Sequence, residues 1–219
     1  MDETATVTAT TSASSSFVDG PMRIDVSSNS LQSLHFPIGK AGICRPADLK
    51  IQHTNNTSYS YKAEVTNSSA HALNWAKPTG VQNVSSVRYW DIDRTVTATG
   101  AAASSAGLST SPLPEITLYY GIDDIVLSTA DVTIVKNTAL APTSWIDIGG
   151  DGTAIPSGSI TSTSAPSVFN SFSRFTLGSY FYYITSWTGA VNDSWTNTGN
   201  WDNAVPTYQH TAVIPDVAI

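Results

Sequence analysis

Apolar and polar residues alternate along most of the 219-residue chain, a two-residue period typical of strands with one buried face. We expect strands near residues 17–18, 22–26, 34–36, 47–53, 59–65, 84–92, 115–120, 132–135, 144–148, 159–164 and 174–177. Turn residues separate them, as in Asp19-Gly20-Pro21 and at residues 149–152. Evidence for helices is confined to one turn near residues 123–130. The pattern predicts an all-β fold, an antiparallel β-sandwich of the Ig-like or jelly-roll-like kind.

The composition changes near residue 180. Three tryptophans, Trp187, Trp195 and Trp201, follow within a short stretch. We therefore expect a β-sandwich module over residues 1–180 and a Trp-rich β segment over residues 181–219. The second piece is too short to bury a core of its own, so we interpret it as the start of a following repeat, incomplete or docked on the first. Residues 4–10 and 211–219 both have strand-like patterns that lack a local partner in the sequence.

Small hydroxyl side chains dominate the polar positions, with 58 Ser and Thr among 219 residues. Charged residues make up 12% of the chain, about half the roughly 25% usual in soluble domains. Ten cations and a pI near 4.8 argue against a nucleic-acid surface. No apolar run reaches the ~18 residues of a membrane-spanning helix, so we expect no membrane insertion. A single cysteine, Cys44, excludes a disulfide within the chain.

Several motifs occur in an order that resembles a known module. They are the segments at residues 17–23, 36–40, 45–46, 89–90, 118–120, 145–149 and 172–179. This arrangement resembles a repeat or β-sandwich module of large secreted, adhesin-like surface proteins of Bacteroidota, typically exported by the type IX secretion route. The tail, with Trp187-x-Gly189, Trp195, Asn200-Trp201, Val205-Pro206 and Ile214-Pro215, is similar to a repeat of the same proteins.

The resemblance implies an extracellular or cell-surface location and a role in adhesion or surface architecture. It also implies neighbouring modules or identical subunits as partners, and it supplies no catalytic centre. Our first hypothesis is accordingly a non-enzymatic structural or adhesive module, able to form a fibre by pairing a terminal strand with a neighbouring sheet edge. The alternative is a carbohydrate-binding module of a secreted glycan-active protein.

Trp187, Trp195 and Trp201 are the candidate ligand-binding residues for that alternative. Tryptophan faces stack on the apolar faces of sugar rings, and neighbouring asparagines supply polar contacts. The competing interpretation is that these residues pack a small core, which we favour by about three to one.

Asp147 and Asp151 flank a glycine turn and form the candidate metal site. Two carboxylates in such a turn can supply oxygen ligands to calcium, although their spacing differs from that of an EF-hand. We expect no other cofactor.

Other charged and nucleophilic residues suggest no catalytic site. No segment resembles Gly-x-Ser-x-Gly, and the four histidines lack metal-ligand spacing. Asp91 and Asp93 alternate on one strand face, and we expect surface charge pairs with the nearby Arg88 and Arg94. Asp123 and Asp124 form a pair expected in a turn.

Overall fold

A computed structural model describes residues 16–103, 105–138, 141–163, 169, 171–180, 183–202, 204–207 and 210–215. Its strands are β1 (Val18–Asp19), β2 (Met22–Val26), β3 (Gln32–Phe36), β4 (Ile38–Lys40), β5 (Ile43–Cys44), β6 (Ala47–Ile51), β7 (Tyr59–Thr66), β8 (Asn83–Val84), β9 (Tyr89–Val96), β10 (Glu115–Tyr120), β11 (Val132–Thr138), β12 (Ala141–Asp147), β13 (Asp151–Gly152), β14 (Gly158–Thr161), β15 (Arg174–Ser179), β16 (Tyr183–Ser186) and β17 (His210–Val213). Single 3-10 turns occur at His71–Leu73, Ile122–Asp124 and Thr198–Asn200.

Two antiparallel sheets pack face to face, which confirms the predicted all-β sandwich. One has the strand order β13-β14-β10-β6-β3. The other has the order β12-β11-β15-β9-β7-β2, with β8 paired to β15. A small sheet of β1, β4 and β5 adjoins them.

The core lies between the two sheets and follows from the alternation in each strand. Ile116 and Leu118 of β10 have no solvent exposure, and neither do Tyr61 and Ala63 of β7 in the other sheet. Each fully buried large apolar side chain contributes about 1.5–3 kcal/mol. Because this burial comes from residues two apart, a one-residue register slip would expose a whole strand face.

A second, smaller apolar cluster includes Val135 and Trp145. The Trp145 ring lies 4.7 Å from that of Trp75, in the connection between β7 and β8. At residues 89–90 the predicted alternation is confirmed, since Trp90 is buried and Tyr89 is half-buried.

The strand predicted over residues 84–92 is interrupted. The Ser85 hydroxyl accepts hydrogen bonds from the backbone N–H groups of Val87 (3.1 Å) and Arg88 (3.2 Å). These bonds hold a turn between β8 and β9, and β9 begins only at Tyr89. The hydroxyl therefore competes with the strand ladder, as short polar side chains commonly do.

The Trp-rich segment contains a parallel pair, β16 with β17, in register from Tyr183 opposite His210 to Ser186 opposite Val213. A strand was predicted over residues 211–219, and the expectation that it lacks a local partner is wrong for residues 211–213, which belong to β17. A parallel pair needs a long crossover, and here residues 187–209 supply it. The predicted strand at residues 4–10 and the end of the second, residues 216–219, lie outside the described residues. The domain boundary near residue 180 stays a prediction.

Candidate functional site

The three candidate tryptophans of the tail lie together in one cluster. The rings of Trp187 and Trp195 are nearly parallel, at 15°, with centroids 6.2 Å apart. Trp201 stands edge-on to both, at 5.1 Å from Trp187 and 4.6 Å from Trp195. Its indole N–H donates to the Trp195 carbonyl over 2.9 Å. Edge-to-face contacts of this kind add about 0.5–1.5 kcal/mol beyond burial.

Asn200 fixes the loop that carries Trp195. Its side chain is fully buried. Its carbonyl oxygen accepts from the N–H groups of Val191 (2.9 Å) and Asn192 (3.0 Å), and its amide donates to the Ser194 carbonyl (2.9 Å). One side chain thereby satisfies the polar groups of a whole turn, which explains why asparagine precedes Trp201 in the motif.

The backbone conformation of Gly189 explains why glycine occupies the third position of the Trp-x-Gly motif. Its φ of +60° lies in the left-handed region that glycine adopts without strain. A Cβ there would also lie 3.2 Å from the indole nitrogen of Trp187. The tail motif therefore encodes the geometry of the cluster.

The solvent exposure of the three indole rings indicates which of them pack the cluster and which can contact a ligand. Trp201 is 6% exposed and serves packing, whereas Trp195 is 49% exposed. A sugar between two parallel rings needs two contacts of about 3.5–4.0 Å each, more than the 6.2 Å that separates Trp187 and Trp195. Of the three rings, Trp195 is the most exposed and therefore offers the largest stacking surface for a ligand.

The candidate calcium residues differ in their surroundings. Asp147 accepts hydrogen bonds from the hydroxyl of Thr133 (2.6 Å), the N–H of Gly149 (2.8 Å) and the hydroxyl of Tyr180 (2.7 Å). Asp151 lies exposed in β13. Across the described part of the chain, no group of three or more His, Cys, Asp or Glu side chains forms a metal-binding arrangement. Calcium at Asp147 and Asp151 stays a prediction, and it requires Asp147 to exchange some of these donors for the ion.

Asp123 and Asp124 form a partly buried ion-pair network with two arginines, which sequence analysis missed. Arg45 and Arg88 both donate to Asp123. Arg88 Nε also donates to Asp124 Oδ1 over 2.5 Å, and Arg45 Nε to Asp124 Oδ2 over 3.0 Å. The side chains of Arg88 and Asp124 have no solvent exposure. We call these four residues the Arg–Asp clamp.

The clamp joins three parts of the sandwich: the start of β6, the start of β9 and the 3-10 turn after β10. Gly121 in that turn allows the approach of Arg45, because a Cβ there would collide with the guanidinium. Burial lowers the pKa of Arg88, and the charge and hydrogen bond of Asp124 oppose this. Two features of the sequence could have indicated the clamp: the adjacent acids Asp123 and Asp124, and two arginines next to predicted strands. Arginine is informative here because the chain has only ten cations.

The expectation that Arg88 and Arg94 pair with Asp91 and Asp93 at the surface is wrong. Arg88 is in the clamp, and Arg94 is 4% exposed, with its guanidinium 3.7 Å from the Tyr59 ring centroid. Cross-strand register explains the actual partners. Arg174 lies opposite Asp91 and forms a two-pronged pair of 2.8 and 2.9 Å. Lys62 lies opposite Asp93, and the two form an ion pair of 2.8 Å.

A further polar groove runs over β3, β6 and β10. His35 Nδ1 lies 2.5 Å from Asp48 Oδ1, and the hydroxyl of Tyr119 donates to Asp48 Oδ2 over 2.8 Å. Lys50 and Glu115 pair beside them at 3.2 Å. His35 is half-buried.

Comparisons of the chain with models of known families, with characterised proteins and with solved structures found no match. The resemblance to secreted modules of Bacteroidota therefore stays a prediction from the sequence. Within the described ranges, none of the helices has the length and apolarity needed to cross a membrane. What the structure defines is the class: a β-sandwich protein with a buried Arg–Asp clamp and a tryptophan cluster.

Proposed function

We propose that the chain is a non-enzymatic structural or adhesive module of an extracellular surface protein. The observation that carries the proposal is the Arg–Asp clamp, which links segments 79 and 36 residues apart inside the sandwich. Small extracellular domains often depend on disulfides for such cross-links, and Cys44 is a free cysteine here. Hydrogen-bonded charge pairs give directional cross-links that hold the two sheets in one arrangement. The extracellular location in this proposal is based on the resemblance found in the sequence.

The outward strand faces support a role in display. Their charges neutralise one another across neighbouring positions, as in Arg23 with Asp25, Lys62 with Asp93 and Arg174 with Asp91. Hydroxyls occupy other positions, such as Thr117 and Thr161, which lie opposite each other and hydrogen-bond at 2.7 Å. Such faces remain hydrated without clusters of unpaired charge at these positions.

Assembly through strand addition is the mechanism we propose for this module. Within the described residues, the β16–β17 sheet has two strands. Asp202 covers the edge of β16 at Ser186, where its N–H donates to the Ser186 carbonyl (3.1 Å) and its carboxylate accepts from the Ser186 N–H (2.7 Å), so β17 is the strand to which another can be added. Parallel edges of this kind accept an added strand. Val213 and Ile214, at 42% and 57% exposure, supply apolar contacts there. The alternating residues 4–10 of a second copy have the pattern of a strand that adds to such an edge.

The experiment compares the full chain with a deletion of residues 2–13 by size-exclusion chromatography with light scattering and by electron microscopy. We expect multimers of the full chain and monomers of the deletion variant. Val7→Pro should act like the deletion, because proline cannot donate to a strand ladder, whereas the matched Val7→Ile should assemble normally. Unchanged assembly of the deletion variant would exclude this segment.

Carbohydrate binding is the second candidate, and the 49% exposure of Trp195 favours it. We test it on a glycan array with the full chain and Trp195→Ala. Trp75→Ala is the control, because Trp75 is a half-buried tryptophan outside the tail cluster. Binding that is lost in Trp195→Ala and kept in Trp75→Ala would support a sugar platform. An array without binding would leave the structural module as the sole proposal.

A further inference from the structure

Lys136 is a buried amine on the core-facing side of β11. It has no solvent exposure, and the residues opposite it in the neighbouring strands are Phe175 of β15 and Ile146 of β12. Its ammonium nitrogen lies 5.8 Å from the centre of the Phe175 ring. The residue before Phe175 in β15, Arg174, is engaged with Asp91 and Tyr89. A charged amine in such apolar surroundings is costly.

The amine is held by two neutral oxygens. Lys136 Nζ donates to the carbonyl of Asn137 over 2.9 Å and to the hydroxyl of Ser171 over 3.2 Å. A serine within hydrogen-bond reach of a base that a third group orients is the arrangement of an activated nucleophile. Here Ser171 is the nucleophile, Lys136 the base and the Asn137 carbonyl the orienting group.

Ser171 also lines a cavity of about 370 Å³. Phe172, Arg94, Thr95 and Ala103 are among the residues that share its wall. The Arg94 guanidinium is anchored by the Tyr61 hydroxyl at 3.0 Å and by the Ala106 carbonyl at 3.0 Å. It therefore brings a fixed positive charge to the cavity that holds the serine. Arg23, Lys62 and Asp93 are the other charged residues of this wall; Lys62 pairs with Asp93, and Arg23 pairs with Asp25.

We propose that Ser171 and Lys136 form a nucleophile–base pair that accepts the acyl group of a carboxylic ester bound in this cavity. Ser171 Oγ attacks the ester carbonyl carbon while its proton passes to Lys136 Nζ. The C–O bond to the alcohol then breaks, and the alcohol leaves with that proton. The products are an acyl-serine ester at residue 171 and the free alcohol.

The base must be neutral to accept a proton, and burial lowers the pKa of Lys136 to about 8. A lysine in water, with a pKa near 10.4, is almost entirely charged at that pH. The inference is independent of the proposed function. A single acyl capture without turnover is compatible with an adhesive module, because it would attach the protein covalently to an ester-bearing ligand.

The test uses the full chain and p-nitrophenyl acetate as the probe, with p-nitrophenolate release followed by absorbance and the acetylated residue located by mass spectrometry. We expect a burst of one equivalent and acetylation at Ser171. Lys136→Met should slow acetylation about 10²-fold or more, the usual share of a general base, and Ser171→Ala should abolish it. Ser159→Ala is the matched control, since Ser159 is a half-buried serine of β14 that bonds to Thr153, outside this cavity and the Lys136 contacts, and it should react normally.

Two results would overturn the inference: acetylation spread over other serines or lysines at the same rate as Ser171, or a rate at Ser171 that Lys136→Met leaves unchanged. Circular dichroism of each variant shows whether it is folded. If Lys136→Met does not fold, Lys136→Gln is measured in its place, because its amide is neutral and cannot act as a base. Acetylation of Ser171 in Lys136→Gln at the rate of the unaltered chain would also contradict the inference.

Discussion

Arg88 and Asp124 form an ion pair in the interior of the sandwich, with Arg88 Nε donating to Asp124 Oδ1 over 2.5 Å and both side chains fully buried. Neither charge has water to solvate it, so each depends on the other and on the remaining members of the clamp. The pair joins β9 to the turn that follows β10, one strand from each main sheet. The ion pair therefore adds a charged link between the two sheets beside the apolar core, in which the neighbouring Trp90 and Tyr120 are buried.

Removing one charge of this pair should destabilise the fold strongly. We expect Asp124→Asn to lower the free energy of unfolding by about 3–5 kcal/mol, because the buried Arg88 and the half-buried Arg45 then share the one carboxylate of Asp123. Urea denaturation measures this. Asp93→Asn is the control, since the Lys62–Asp93 pair is about half exposed and such pairs contribute about 1 kcal/mol or less. Equal effects of the two substitutions would show that the clamp has no special role.

Asn200→Ala should loosen the loop that carries Trp195. The substitution removes the acceptor for the N–H groups of Val191 and Asn192, and each lost bond to a buried polar group costs about 1–3 kcal/mol. We expect faster amide hydrogen exchange at residues 191–195, with the sandwich strands unchanged. Asn197→Ala, which removes one turn bond to Gly199, is the milder control. Unchanged exchange at residues 191–195 would contradict this role of Asn200.

The buried Lys136 predicts a pH dependence of stability. Its pKa in the folded chain is about 8, below the ordinary 10.5, so the unfolded chain binds more protons between these values. The free energy of unfolding should therefore rise with pH across this window relative to that of Lys136→Met. Tyr61, with its pKa raised to about 12 by burial, acts in the opposite direction above pH 10 but is present in both proteins. Parallel pH profiles for the two would contradict the assignment.

The calcium prediction has a direct thermal test. An ion bound to Asp147 and Asp151 stabilises the folded chain by mass action, so millimolar calcium should raise the Tm above its value in chelator. Asp151→Asn should abolish the difference while it leaves the bonds of Asp147 to Thr133 and Tyr180 intact. Equal Tm values in calcium and chelator would exclude a calcium site here.

The alternation of apolar and polar residues predicted strands correctly where buried and exposed positions alternate in the structure. Residues 115–120 were predicted as a strand and form β10 without change. The interruption at Ser85 depends on a side-chain hydrogen bond, which a hydrophobic pattern does not record. The cluster of Trp187, Trp195 and Trp201 was predictable because its members lie close in sequence.

The sites that sequence analysis missed are built from residues far apart in the chain. Arg88 and Asp124 are 36 positions apart, and Lys136 and Ser171 are 35 apart. Neither pair has a local motif, and only the strand order brings them together. Arg94 illustrates the same limit. Its charge indicates a surface position, yet two tyrosine rings and the Ala106 carbonyl accommodate it inside.

Sedimentation velocity of the full chain over a range of concentrations tests the structural-module proposal most directly. Strand addition between copies predicts species larger than the 23.2 kDa chain, whose fraction grows with concentration and disappears in Val7→Pro. A single species of monomer mass at every concentration, identical in both proteins, would contradict the proposal.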